Sequence, residues 1–138
     1  MTNLTTDMST WRVLVIDDKR ATLKLIEAIL LPVGAEVVLL DEPQNGLDAI
    51  RKYDINLILL DIAMPNINGW DFQQMLRNQP EFDHVAVIGC SAMAMVEDRE
   101  KAKQLGFEGY ITKPFRVDSL LSEISESIEK FIERRASG

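Results

Sequence analysis

Five short apolar runs recur along the chain, separated by segments of helical period. The runs are Arg12–Ile16, Glu36–Leu40, Asn56–Leu60, Val85–Cys90 and Gly109–Thr112. They are rich in Val, Ile and Leu and lack polar alternation, the pattern of strands covered on both faces, as in a parallel sheet. The segments between them carry apolar stripes: Leu23, Ile26 and Leu30; Leu47 and Ile50; Phe72, Met75 and Leu76; and a long last stripe of Leu120, Leu121, Ile124, Ile128, Phe131 and Ile132. Pro32 and Gly34 stop the first helix, Pro65 and Gly69 bracket a loop after the third strand, and Gly106 ends the fourth helix. Pro114 breaks the chain before the fifth. This alternation predicts an α/β fold of five βα units, with right-handed crossovers that put helices on both faces of the sheet.

At 138 residues the chain is read as one domain. A chain near that length buries roughly 68–70% of its unfolded surface, enough for a core without staples. The net charge of −7 argues against a phosphate-backbone binder, which needs clustered Lys and Arg. Cys90 is the only cysteine, so an internal disulfide is excluded and a cytoplasmic location fits. The most apolar region, Ala28 to Leu40, is interrupted by Pro32, Gly34 and Glu36 and falls short of a membrane span. The first residues have no basic flank and no apolar centre, so they do not form a secretory signal. Residues 1–10 read as a flexible tail, 11–134 as the domain and 135–138 as a second tail, with Arg134 and Arg135 fraying at its start.

The chemistry sits at the ends of the runs. Asp17 and Asp18 close the first, Asp61 closes the third, Ser91 follows the fourth, and Lys113 follows the fifth. In a parallel sheet the carboxyl ends of neighbouring strands converge on one edge. Three carboxylates, a hydroxyl and an ammonium then share one pocket. Two of those charges about 4 Å apart repel by roughly 4 kcal/mol at an effective dielectric near 20. A cation, Lys113, or both must therefore lie close. Mg²⁺ suits such a site, because it takes hard oxygen ligands and is held by one or two carboxylates plus phosphate and water. An aspartate beside it can attack phosphorus and form an acyl phosphate.

Each residue also has a plainer reading. An acidic doublet is commonly a solvated loop, Ser91 is a helix-cap type, and Tyr110 is an ordinary strand aromatic. His84 stands alone before the fourth strand, which argues against a histidine-bound metal. Cys90 reads as a small buried hydrophobe. Met93 and Met95 form either a pliable surface or packing, and Trp11 and Trp70 read as packing residues.

The strings Val-Leu-Val-Ile-Asp17-Asp18, Leu-Leu-Asp61-Ile-Ala-Met64-Pro65-Asn-Ile-Asn-Gly69, Cys-Ser91-Ala92 and Tyr110-Ile-Thr-Lys113-Pro114-Phe115 resemble those of the response regulator receiver domain. The likeness is to the single-domain, chemotaxis-regulator type of two-component signalling. It covers Arg12 to Phe131. The resemblance implies a flavodoxin-like (βα)5 fold with strand order 2-1-3-4-5. It implies that Asp61 accepts a phosphoryl group from a histidine kinase or phosphotransfer protein. Asp18 would bind Mg²⁺ directly, Asp17 mostly through water, and Ala63 through its backbone carbonyl. Lys113 would pair with phosphoryl oxygens, and the Lys113–Pro114 bond would be cis. Ser91 and Tyr110 would form a switch pair addressing the face of the fourth helix, fifth strand and fifth helix, the face of a homodimer or of a downstream protein target. Ala21, Thr22, Leu25 and Phe115 would meet the kinase. Such a domain is a switch with intrinsic autophosphorylation and autodephosphorylation, not an enzyme, and binds neither DNA nor membrane. A small Ala63 leaves attacking water a freer path than a bulky residue would.

Three rivals compete. A dehalogenase-like phosphohydrolase needs an Asp-x-Asp nucleophile, but Ile62 and Ala63 follow Asp61. A nucleotide or flavin module needs a glycine-rich phosphate loop, and none is present. A degenerate receiver acting only as a protein-binding adaptor would not need the intact acids, hydroxyl and lysine.

Overall fold

The computed structural model describes residues 3–65, 67–93 and 95–137. Its centre is a parallel sheet of β1 (Arg12–Ile16), β2 (Glu36–Leu40), β3 (Leu57–Asp61), β4 (Ala86–Ser91) and β5 (Gly109–Thr112) in the order β2-β1-β3-β4-β5. The helices are α1 (Arg20–Leu30), α2 (Gly46–Tyr53), α3 (Gly69–Arg77), α4 (Val96–Gln104) and α5 (Val117–Ser137). The doubly wound order and both layers of helices match the expectation from sequence.

Alternate strand residues feed opposite cores, as a pleated strand requires. Val13, Val15, Leu57, Leu59 and Ile88 pack with Leu23, Ile26 and Leu30 of α1 and Leu120, Ile124, Ile128 and Phe131 of α5. Leu14, Ile16, Ile58, Leu60 and Val87 pack with Ile50 of α2, Phe72 and Leu76 of α3, and Ala102 of α4. Central strands buried on both faces explain the runs without polar alternation.

The differences from the sequence reading have local causes. β3 and β4 each start and end one residue later than expected. Asn56 uses its side chain to bridge chain segments, accepting from the Arg12 N–H (2.9 Å) and donating to the Thr10 carbonyl (2.9 Å). The ladder instead continues through Asp61↔Cys90 and Ser91↔Thr112, so both functional side chains end on strand geometry. On α3, Met75 is exposed and Gln73 takes the buried place, donating to the Leu105 carbonyl (3.1 Å). Leu4, in the segment read as a tail, is buried in the core beneath α1 and α5, and the Trp11 indole N–H donates to the Thr5 carbonyl (2.8 Å). Residues 1–2 and 138 lie outside the described residues.

Arg134 and Arg135 do not fray. Arg134 forks onto the buried Glu108 carboxylate (2.6 and 3.3 Å), and Arg135 donates to the Asp83 carbonyl (2.6 Å). Among the described residues, no helix is long and apolar enough to cross a membrane.

Candidate functional site

The carboxyl edge of the sheet collects the expected residues because each follows or ends a strand. Asp17 is the first residue after β1, and its N–H donates to the Leu40 carbonyl of β2 (3.1 Å). Its carboxylate accepts from the Lys19 backbone N–H (2.9 Å) and from Lys113 Nζ (2.7 Å). Asp61 ends β3, is 4% exposed, and accepts from the Ala63 N–H (3.3 Å). Lys113 Nζ lies 3.4 Å from Asp61 Oδ1, so one ammonium bridges both buried acids. The Lys113 backbone is tied down as well, its N–H donating to the Ser91 carbonyl (2.8 Å), and the Lys113–Pro114 peptide is cis. Asp18 is exposed at the mouth, yet one oxygen from each of Asp17, Asp18 and Asp61 lies within 4.8 Å of the others.

Electrostatics sets the character of this pocket. Burial pushes the Asp61 carboxyl up to about 6, and the neighbouring Asp17 charge adds to it; Lys113 and the Ala63 N–H only partly offset them. Burial opposes the charge of Lys113, but the hydrogen bond it donates to Asp17 and the charges of Asp61 and Asp17 outweigh it and raise its pKa. Three acids facing one ammonium leave the cluster short of positive charge. The donors are hard oxygens, which fits a Mg²⁺ set. A cavity of about 320 Å³ lined by Asp41, Glu42, Met64 and Pro65 meets the cluster at Asp18. The larger groove, about 1130 Å³, lies elsewhere, along α4, β5 and α5, so volume does not mark the chemistry.

Gly69 fixes how α3 meets the site. A Cβ there would fall 2.7 Å from the Asp61 carbonyl oxygen, and the Gly69 N–H donates to the Ile62 carbonyl (2.9 Å). Ser91 is 1% exposed and its Oγ accepts from the Met93 N–H (3.1 Å). Tyr110 is half-buried. Its hydroxyl is enclosed and makes no hydrogen bond of acceptable geometry among the described residues. Burial raises its phenol pKa, while the nearby Ser91 hydroxyl acts in the opposite direction. Cys90, pushed up to about 12 by burial, is the inert thiol expected.

Ala63 is an exposed loop residue beside Asp61. Ala21 and Leu25 are exposed on α1, Thr22 is half-buried there, and Phe115 packs partly on the adjoining core. Sequence reasoning did not find Arg99, which donates from α4 to the Tyr110 carbonyl (3.4 Å) and to Thr112 Oγ1 (3.2 Å). It also did not find the Trp70–Tyr110 stack. Neither leaves a local spacing signal, because the partners come from different elements.

The response regulator receiver domain family matches residues 13–125. The polar-differentiation response regulator DivK of Brucella ovis is 31% identical over 112 residues, covering 81% of this chain and 91% of that protein. A CheY-like response regulator receiver domain protein from Methanospirillum hungatei superposes with a TM-score of 0.76 at 27% identity, covering 90% of this chain and 98% of that one. The chemotaxis protein CheY4 of Vibrio cholerae superposes with a TM-score of 0.79 at 23% identity, covering 85% and 98%, a likeness of fold.

Proposed function

The chain belongs to the response regulator receiver domain family of two-component systems, and on that premise we propose that Asp61 accepts a phosphoryl group from a phosphohistidine of a sensor kinase or phosphotransfer protein. Receiver domains are signalling switches rather than classical enzymes. The observation that carries the reading is the bridge of Lys113 between Asp17 and Asp61, with the Asp18 carboxylate alongside.

Asp17, Asp18, Asp61 and the Ala63 carbonyl would hold Mg²⁺, which when bound supplies positive charge between the acids and the phosphoryl oxygens. An Asp61 carboxylate oxygen attacks phosphorus. The P–N bond to the donor imidazole breaks, its electron pair stays on nitrogen, and an acyl phosphate forms on Asp61. Lys113, already aimed at Asp61, pairs with a phosphoryl oxygen, and the Ser91 hydroxyl donates to another. That engagement draws Ser91 inward, and Tyr110 follows with a change of ring position. The face of α4, β5 and α5 then reads the change, for a downstream protein or a second copy. Ala21, Thr22, Leu25 and Phe115, at least partly accessible around α1 and the loop after β5, receive the kinase.

Incubation with a small acyl phosphate and Mg²⁺, followed by intact-mass analysis, tests the reading. One phosphoryl mass is gained per chain, and Asp61→Asn abolishes it. A chain that turns over generic phosphate esters is a phosphohydrolase instead. A chain that gains no mass while binding its partners equally well is an adaptor.

A further inference from the structure

The ring of Tyr110 is held by contacts beyond its hydroxyl, which lies near the Ser91 hydroxyl. Among the described residues, Gly89, Arg99 and Trp70 stand around the ring. Gly89, its register partner on β4, offers bare backbone, and a Cβ there would lie 3.2 Å from Tyr110 Cδ1. The Arg99 guanidinium stands over the ring at 5.6 Å. Trp70 stacks on it with planes 8° apart and centroids 6.4 Å apart.

Trp70 links more than Tyr110. Its ring meets the Phe107 edge at 5.8 Å and 88°, and the Lys101 ammonium of α4 sits 4.6 Å above it. Its chain neighbour Gly69 rests on the Asp61 carbonyl. A run of contacts therefore leads from Asp61 to α4 through Gly69 and Trp70 without passing through Ser91. Offset aromatic stacking and cation–π contact each contribute about as much as one net hydrogen bond, enough to bias two ring positions.

We propose that Trp70 is a positioning residue that holds Tyr110 in its resting place and ties the loop after β3 to α4. This rests on the phosphoacceptor reading of Asp61 and adds a residue to it. Loosening the stack raises the fraction of molecules already in the receptive arrangement, and phosphoryl uptake speeds up in proportion.

The test uses the full chain with a small acyl phosphate and Mg²⁺, following intact mass and tryptophan emission on the same samples. In the wild type, emission changes with the time course of the mass gain. Trp70→Phe takes up phosphoryl with flat emission, because buried Trp11 does not respond, and its uptake rate stays near wild type because a ring remains. Trp70→Ala takes up phosphoryl roughly three- to tenfold faster. Tyr110→Ala takes up phosphoryl but loses most of the emission change. Phe72→Leu, which loosens the same core away from the stack, keeps the wild-type rate. Mass gain with flat wild-type emission, full emission change in Tyr110→Ala, or an unaltered rate in Trp70→Ala overturns the role of Trp70 alone. Absence of any mass gain overturns the Asp61 reading and this role with it.

Discussion

The sheet carries a buried charge cluster at each end, and the two are built on opposite terms. At the carboxyl edge Asp17 and Asp61 share one ammonium, and Asp18 adds a third carboxylate. At the amino end of β5 a single carboxylate, Glu108, takes two guanidinium groups, Arg77 at 3.6 Å and Arg134 at 2.6 Å. Arg77 is further tied to the carbonyls of Phe82 (3.3 Å) and Val85 (2.9 Å). In the second cluster the buried carboxylate is fully answered, and the pairing joins α3, β5 and α5. The first is left in deficit, and a buried deficit is retained only where a ligand supplies what is missing. Compensation, more than burial, separates a clasp from a reactive site.

The comparison can be broken from either side. Lys113→Ala removes the cation that bridges the two buried acids. It lowers stability without Mg²⁺ by about 3 kcal/mol in denaturant unfolding and slows phosphoryl uptake at least about tenfold. Glu108→Gln leaves Arg77 half-buried without its carboxylate and costs about 2 kcal/mol, while uptake at Asp61 stays near wild type. A Glu108 variant as slow as the Lys113 variant would erase the distinction between the ends.

Asp61→Asn sharpens it through pH. The folded carboxyl titrates near 6 against an ordinary value of 3.8, so the folded state holds the proton more tightly. Its contribution is complete below the unfolded value and is lost as pH rises through about 6. At about 1.4 kcal/mol per unit the loss is of order 2 kcal/mol after relaxation of the pocket. Without Mg²⁺, the asparagine variant gains little over wild type near pH 4 and most near pH 7. A gain independent of pH would refute the deficit. The smallest effect is that of the cation: at about ten times its Kd, Mg²⁺ adds roughly 1.4 kcal/mol to the wild type. It adds less to Asp61→Asn, as a thermal melt would read.

What was legible in the sequence follows from these ends. Residues at strand termini are placed by topology alone, so Asp17, Asp61, Ser91 and Lys113 could be assembled from the order of apolar runs. Glu108 and Arg134 could not, because their meeting depends on where the eighteenth residue of a long helix passes the start of a strand. Periodicity sees which face of a helix is apolar, not which distant carboxylate its last turn will find. The same limit hid the Trp70–Tyr110 stack and made Met75, not Gln73, the apparent core residue of α3. The long α5 stripe was recognised, yet the terminal arginines looked idle because their partners lie on other elements.

The core beneath α1 and α5 counts Leu4, Trp11, Ile128 and Phe131 among its members. All four fall outside the span 13–125 that the family shares. Excising the chain at those limits for fusion or crystallisation would strip one wall of that core and remove Arg134, the outer half of the Glu108 clasp. Any shortened version meant to report native behaviour has to retain both flanks.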